Sequence, residues 1–192
     1  MTIPDYRKAT NAAYKLLAQK DIIPMSTNLF SVIEDYLPDC RLITYSQAAF
    51  LYGNSTELLL QASEYGFSVV RGNRRLILYN ESLPFGCVRF TIAHEIGHAI
   101  LGHVDEFSLA AEREANCFAR NLLCPIPIVC ALDFTMTDEY TAAFDVTQAM
   151  AIVALDKRSV DRYYIAENLY DVILSKFETY LDGLDAYQYR AS

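Results

Sequence analysis

The chain has 192 residues, with 16 Lys and Arg against 24 Asp and Glu, a formal net charge of −8. That length suits one domain, or one domain with a small appendage, and a hydrophobic content of 53% supplies a substantial core. The acidic balance argues against nonspecific nucleic-acid binding, which needs concentrated Lys and Arg, and no run of 18 apolar residues suggests a transmembrane helix.

The N-terminus, Met1 to Arg7, lacks the basic-then-apolar pattern of a signal peptide. The five cysteines, Cys40, Cys87, Cys117, Cys124 and Cys130, are odd in number and scattered, without a Cys-x-x-Cys pair. They read as reduced, mostly buried thiols of a cytoplasmic protein, and not as a disulfide frame or zinc knuckle.

In chain order, residues 4–20 read as an amphipathic helix, with Tyr6, Ala9, Ala13, Leu16 and Leu17 on one face and Pro4 in its first turn. A second helix is expected over 27–37, with Leu29, Phe30, Ile33 and Leu37 inward and Pro38 ending it. Residues 41–45 read as a short strand. Gly53-Asn54 breaks the chain, and Asn54 with Glu57 is a helix-start signal for 55–64. A hairpin follows: strand 66–70, turn Gly72-Asn73, strand 75–79. The strand near Leu76–Asn80 is a candidate edge that an extended substrate could pair with.

The next stretch, Phe90 to Gly102, contains His94-Glu95-x-x-His98. Residues four apart on a helix point the same way, so both imidazoles can bind one Zn²⁺. Glu95 is placed to act on water as a general base without being a ligand. The flanking Ile92, Ala93, Ile96, Ala99 and Ile100 suit a helix buried on most sides. His103 is five residues past His98, about 140° away on a continuing helix, and Gly102 is a plausible helix end. His103 therefore reads as a cap or loop residue. The metzincin pattern also fails, since Leu101 and Val104 stand where Gly and His are required.

A third ligand is expected on the following helix, 111–123. Glu112 and Glu114 are both candidates. Glu112 shares a face with Asn116, which lets Asn116 support a ligand by hydrogen bonding, whereas Glu114 points about 200° away; Glu112 is preferred.

Beyond Pro125 the chain reads as helical: a short helix at 125–131, two helices over 137–144 and 147–157 in helix-turn-helix style, and a last helix over 159–180 with a mobile tail from Asp182. Residues 148–156 contain no Lys or Arg, which favours a packing or substrate-positioning role over DNA reading. The expected fold is α+β and mainly helical. A small antiparallel or mixed sheet lies beside a zincin active-site helix in residues 1–125, and residues 126–192 form a helical segment, in part helix-turn-helix-like, packed on them.

Three stretches together resemble the ImmA/IrrE family of metallopeptidases: Arg89 to His98, Glu112-Arg113-Glu114-Ala115-Asn116-x-Phe118-Ala119, and Leu122-Leu123-Cys124-Pro125, where Cys124 stands in place of the usual Met. The resemblance covers residues 65–125 well and the two ends loosely. It implies a cytoplasmic zinc endopeptidase that cuts a helix-turn-helix transcriptional repressor, as encoded in mobile elements, phages and stress regulons. It also implies Glu112 as third ligand, by analogy with other gluzincins. Two other readings are weighed against it: a DNA-binding regulator with a structural zinc site, and a pseudo-peptidase that only binds protein. Neither the oxyanion-stabilising group nor the substrate-binding residues can be read from the sequence, although a Tyr is plausible among fourteen.

Overall fold

The computed structural model describes residues 3–191 apart from Ser26, Asn54 and 104–107, with backbone alone over 185–191. It is α+β and mainly helical, with ten helices and one three-stranded mixed sheet among the described residues. Helix α1 (Tyr6–Leu17) starts at Asp5, not Pro4: the Asp5 carboxylate accepts from Lys8 N at 2.8 Å. Helix α2 (Leu29–Tyr36) is capped by Asn28, and strand β1 (Cys40–Thr44) follows.

Helix α3 (Tyr45–Tyr52) has no counterpart in the sequence reading. Thr44 and Gln47 close a capping box around its start, and the Glu81 carboxylate accepts from Tyr45 N and Ser46 N, both at 3.1 Å. Its Phe50, Leu51 and Tyr52 are exposed, so no one-sided apolar stripe marks it. Helix α4 (Thr56–Ala62) starts at Ser55, whose hydroxyl accepts from Leu58 N; the expected start signal at Asn54 lies outside the described residues.

The hairpin forms as read, β2 (Gly66–Arg71) and β3 (Arg74–Tyr79), but the strand order is β1-β3-β2. β3 pairs parallel with β1 and antiparallel with β2, so it is central. This corrects the expectation of an edge near Leu76–Asn80: both sides of β3 are taken, and among the described residues β2 has one side unpaired. One face of the sheet packs under α3 and α4 through Tyr45, Ala48, Leu59 and Leu78. Ile77, on the opposite face, joins the main core.

That core is built on helix α5 (Phe85–Leu101) and helix α6 (Leu109–Leu123), with α1 laid against both. Ile92, Ala93 and Ile96 of α5 meet Phe118, Leu122 and Leu123 of α6 and Ala9, Ala13 and Tyr14 of α1 in one buried cluster. The same cluster includes side chains from α7 (Ile126–Ala131), α8 (Thr137–Phe144), α9 (Gln148–Tyr164) and α10 (Glu167–Ala191). The Tyr14 hydroxyl, fully buried, accepts from Ile126 N at 2.7 Å and fixes the entry to α7.

The C-terminal helices divide differently from the reading. A single helix over 159–180 is replaced by α9, ending at Tyr164, and α10, starting at Glu167. The break is capped from across the molecule: Asn11 Nδ2 donates to Tyr164 O and Ala166 N donates to Asn11 Oδ1, both at 2.9 Å. The tail expected from Asp182 is helical to Ala191.

One buried ion pair ties α6 to α9. Arg120 donates Nε–H and Nη2–H to the two oxygens of Asp161, at 2.6 and 2.9 Å, and Asp161 is buried. Removing one partner leaves the other charge uncompensated in the interior. Asp161→Ala should therefore lower stability by about 3–5 kcal/mol, read as a drop in the urea midpoint at unchanged slope.

Candidate metal centre

Helix α5 carries His94, Glu95 and His98, and α6 carries Glu112 and Asn116, so the site is only as good as the contact between the two helices. That contact is set by Gly97, inside the motif. A Cβ there would lie 3.0 and 3.2 Å from ring atoms of Phe118 and 3.3 Å from Ala115 Cα. The missing side chain lets α6 settle on α5 one turn beyond Glu112.

The result brings His94, His98 and Glu112 together, each offering one donor atom, with all three atoms within 4.8 Å of one another. The His94 and His98 Nε2 atoms are 2.9 Å apart. Glu112 Oε2 lies 3.3 Å from His94 Nε2, and Oε1 lies 3.4 Å from His98 Nε2. Asn116, four residues after Glu112, meets His94 Nδ1 with its side-chain oxygen at 3.1 Å. An amide oxygen only accepts, so His94 Nδ1 carries the proton and its Nε2 presents a lone pair.

Burial and the neighbouring His94 push the His98 imidazolium down to about 4, against the pull of Glu112. His98 is therefore neutral at pH 7, the form that binds metals. Polar contact with the His94 imidazole, and then with His98, holds the Glu112 carboxyl below its ordinary range, so this group is ionised. Two imidazoles and a carboxylate thus converge on one point, an arrangement that a cation would satisfy. The donor set of two nitrogens and one oxygen fits a catalytic zinc site with a fourth position open.

Glu95 is buried and takes a different direction. It is not among the converging donors, and its Oε2 accepts the hydroxyl of Ser68 on β2. Gly66 makes this possible: a Cβ there would lie 2.5 Å from Thr91 Cγ2 on α5 and 2.7 Å from Leu78 O, so β2 could not approach the helix. Ser68 was not legible in the sequence, because no motif contains it and only the sheet order brings it to Glu95.

Glu114 turns away from the three donors. Its Oε2 lies 3.0 Å from His103 Nε2, and its Oε1 accepts from Asp5 N at 2.8 Å. His103 follows the αL residue Gly102 (φ 75°) and stands outside the donor group, as a residue of the helix cap. The cysteines are all free thiols; Cys40, Cys117 and Cys124 are buried, and none joins the site.

A pair of histidines one turn apart, a carboxylate from the next helix and a separate buried glutamate define a metallopeptidase-type centre. The family described as IrrE N-terminal-like domain, Peptidase_M78, matches residues 55–155, which include every one of these side chains. The chain belongs to this family, the ImmA/IrrE metallopeptidases. Comparison with curated proteins and with solved structures gives no match.

Gly97→Ala should force α6 outward by a few tenths of an ångström. An overpacking cost of about 1–3 kcal/mol is expected in thermal melts. Metal affinity should fall with it, as measured by chelator competition, because Glu112 moves with α6.

Proposed function

We propose that this protein is a zinc-dependent endopeptidase whose substrate is a helix-turn-helix transcriptional repressor. The observation that carries the reading is the separation of roles at the site. Three donors converge from two helices, and a fourth carboxylate, Glu95, is held beside them by Ser68 without joining them. A structural zinc site uses four protein donors and needs no general base. Here three donors converge among the described residues.

His94, His98 and Glu112 would hold the ion. Zinc in such a site supplies Lewis acidity, making water nucleophilic at neutral pH and polarising the scissile carbonyl. Glu95 takes the proton of the attacking water and delivers it to the leaving amine. Burial keeps this carboxylate away from bulk water, and Ser68 fixes which oxygen is free to act. The repressor as substrate rests on family resemblance, as do a cytoplasmic location and a phage or mobile-element setting. Among the described residues no helix is long and apolar enough to cross a membrane.

The free side of β2 is the place for an extended substrate. It runs past Glu95 through Ser68, and no strand covers it among the described residues. A peptide adding there would use backbone hydrogen bonds for affinity and side-chain pockets for choice. The exposed Phe50, Leu51 and Tyr52 of α3 and Leu58 of α4 flank the sheet on one face and suit an apolar partner.

Glu95→Gln should retain its metal, by atomic absorption, and lose at least about 100-fold in cleavage of a helix-turn-helix repressor that the wild type cuts. Equal cleavage by the variant, or none by the wild type, overturns the peptidase reading. A charge at Val69, an exposed residue of β2, should raise KM for peptide substrates more than it lowers kcat or metal content. The reverse pattern would remove β2 as the substrate strand.

A further inference from the structure

The end of α5 does more than stop a helix. Gly102 in αL allows the chain to double back: Gly102 N donates to Ala99 O at 3.3 Å and His103 N donates to His98 O at 2.9 Å. This is the paired hydrogen-bond pattern of a Schellman cap. It brings residue 103 beside residue 98, although helix geometry alone would send it well round the axis. Arg75 on β3 fixes the turn from the other side, donating Nη2–H to His103 O at 2.5 Å.

The side chains then form a chain. His98 Nδ1 and His103 Nδ1 are 3.1 Å apart, His103 Nε2 and Glu114 Oε2 are 3.0 Å apart, and Glu114 Oε1 accepts from Asp5 N. The direction of each bond can be worked inward from the carboxylate. Glu114 only accepts, so His103 Nε2 carries the proton. In a neutral imidazole the other nitrogen then accepts, so His98 Nδ1 must donate. That leaves His98 Nε2 as a lone pair aimed at His94 Nε2 and Glu112, the form a metal ligand needs.

We propose that His103 and Glu114 are positioning residues for the metal. They form a carboxylate–histidine–histidine relay that fixes the tautomer and ring orientation of His98, as Asn116 does for His94. This rests on the metallopeptidase reading of the site and names two residues that support it. Outer partners of metal-bound histidines commonly alter affinity by about 10–100-fold. The two helix-borne ligands would thus be held by unlike means: His94 by a neutral amide, His98 by an anion acting through an imidazole. Glu112 and Glu114 take opposite routes from α6 to one centre, the first directly and the second through two rings.

The test uses the full chain and Zn²⁺ alone, with no substrate. Competition with a chelator should show zinc binding weakened about 10–100-fold in His103→Ala and in Glu114→Ala. His103→Asn, which can still accept from His98 Nδ1, should recover part of the loss. Circular dichroism of each variant separates loss of the relay from loss of the fold. Because the chain has three histidines, nitrogen-15 spectra of the zinc-loaded wild type are readily assigned. They should show protonated Nδ1 on His98 and protonated Nε2 on His103. Folded variants that bind zinc within twofold of wild type, or a His103 protonated at Nδ1 alone, would overturn the relay. Failure of the wild type to bind zinc would instead overturn the metallopeptidase reading beneath it.

Discussion

The close approach of two helices at one glycine is the constraint on which the molecule depends. Gly97 lies between the two histidines of the motif, and the space beside its Cα is filled by Phe118 and Ala115. Everything that Glu112 and Asn116 do follows from that contact, because their helix is pressed against the ligand helix only there and along the apolar seam that continues from it. Glycine costs a helix about 1 kcal/mol relative to alanine. In this helix the cost is offset by burial of Phe118, which is fully inaccessible.

Around that contact the polar groups are arranged by hydrogen-bond direction. An amide oxygen stands behind one imidazole and a second imidazole stands behind the other, so both rings turn lone pairs inward. Glu95 is held by a serine from the sheet and stays apart from the ligands. Three different elements, α6, the turn after α5 and β2, therefore each orient a neighbour of the motif. The motif supplies the reactive groups, and the rest of the fold decides where their protons sit.

Most of this centre could be read from the chain because its spacing is local. His94, Glu95 and His98 follow from the helical repeat, and Glu112 with Asn116 follows from the same repeat one helix later. The hairpin, the existence of α2 and the bounds of α7 and α8 were legible for the same reason. What escaped was set by groups distant in sequence or by a change of backbone geometry. The place of β3 in the sheet depends on β1, whose residues pair with partners 35 positions later. Helix α3 exposes Phe50, Leu51 and Tyr52 while burying Tyr45 and Ala48, and so lacks a one-sided periodic signature. His103 is the cap residue the sequence suggested, outside the donor group, but its contact with His98 was not legible, because the left-handed Gly102 turns the backbone back toward the helix.

The division between α9 and α10 is a further case, and it has a temporal side. Its cap is the Asn11 side chain, bonded to a residue 155 positions away, and the first helix also touches the start of α7 through Tyr14 and the His103–Glu114 chain through Asp5. Contacts of such separation are costly to close and come late in folding. A ribosome must have released nearly the whole polypeptide before the first helix can find all of its neighbours. An unfinished copy therefore has its histidine motif long before it has the framework that would make the motif dangerous.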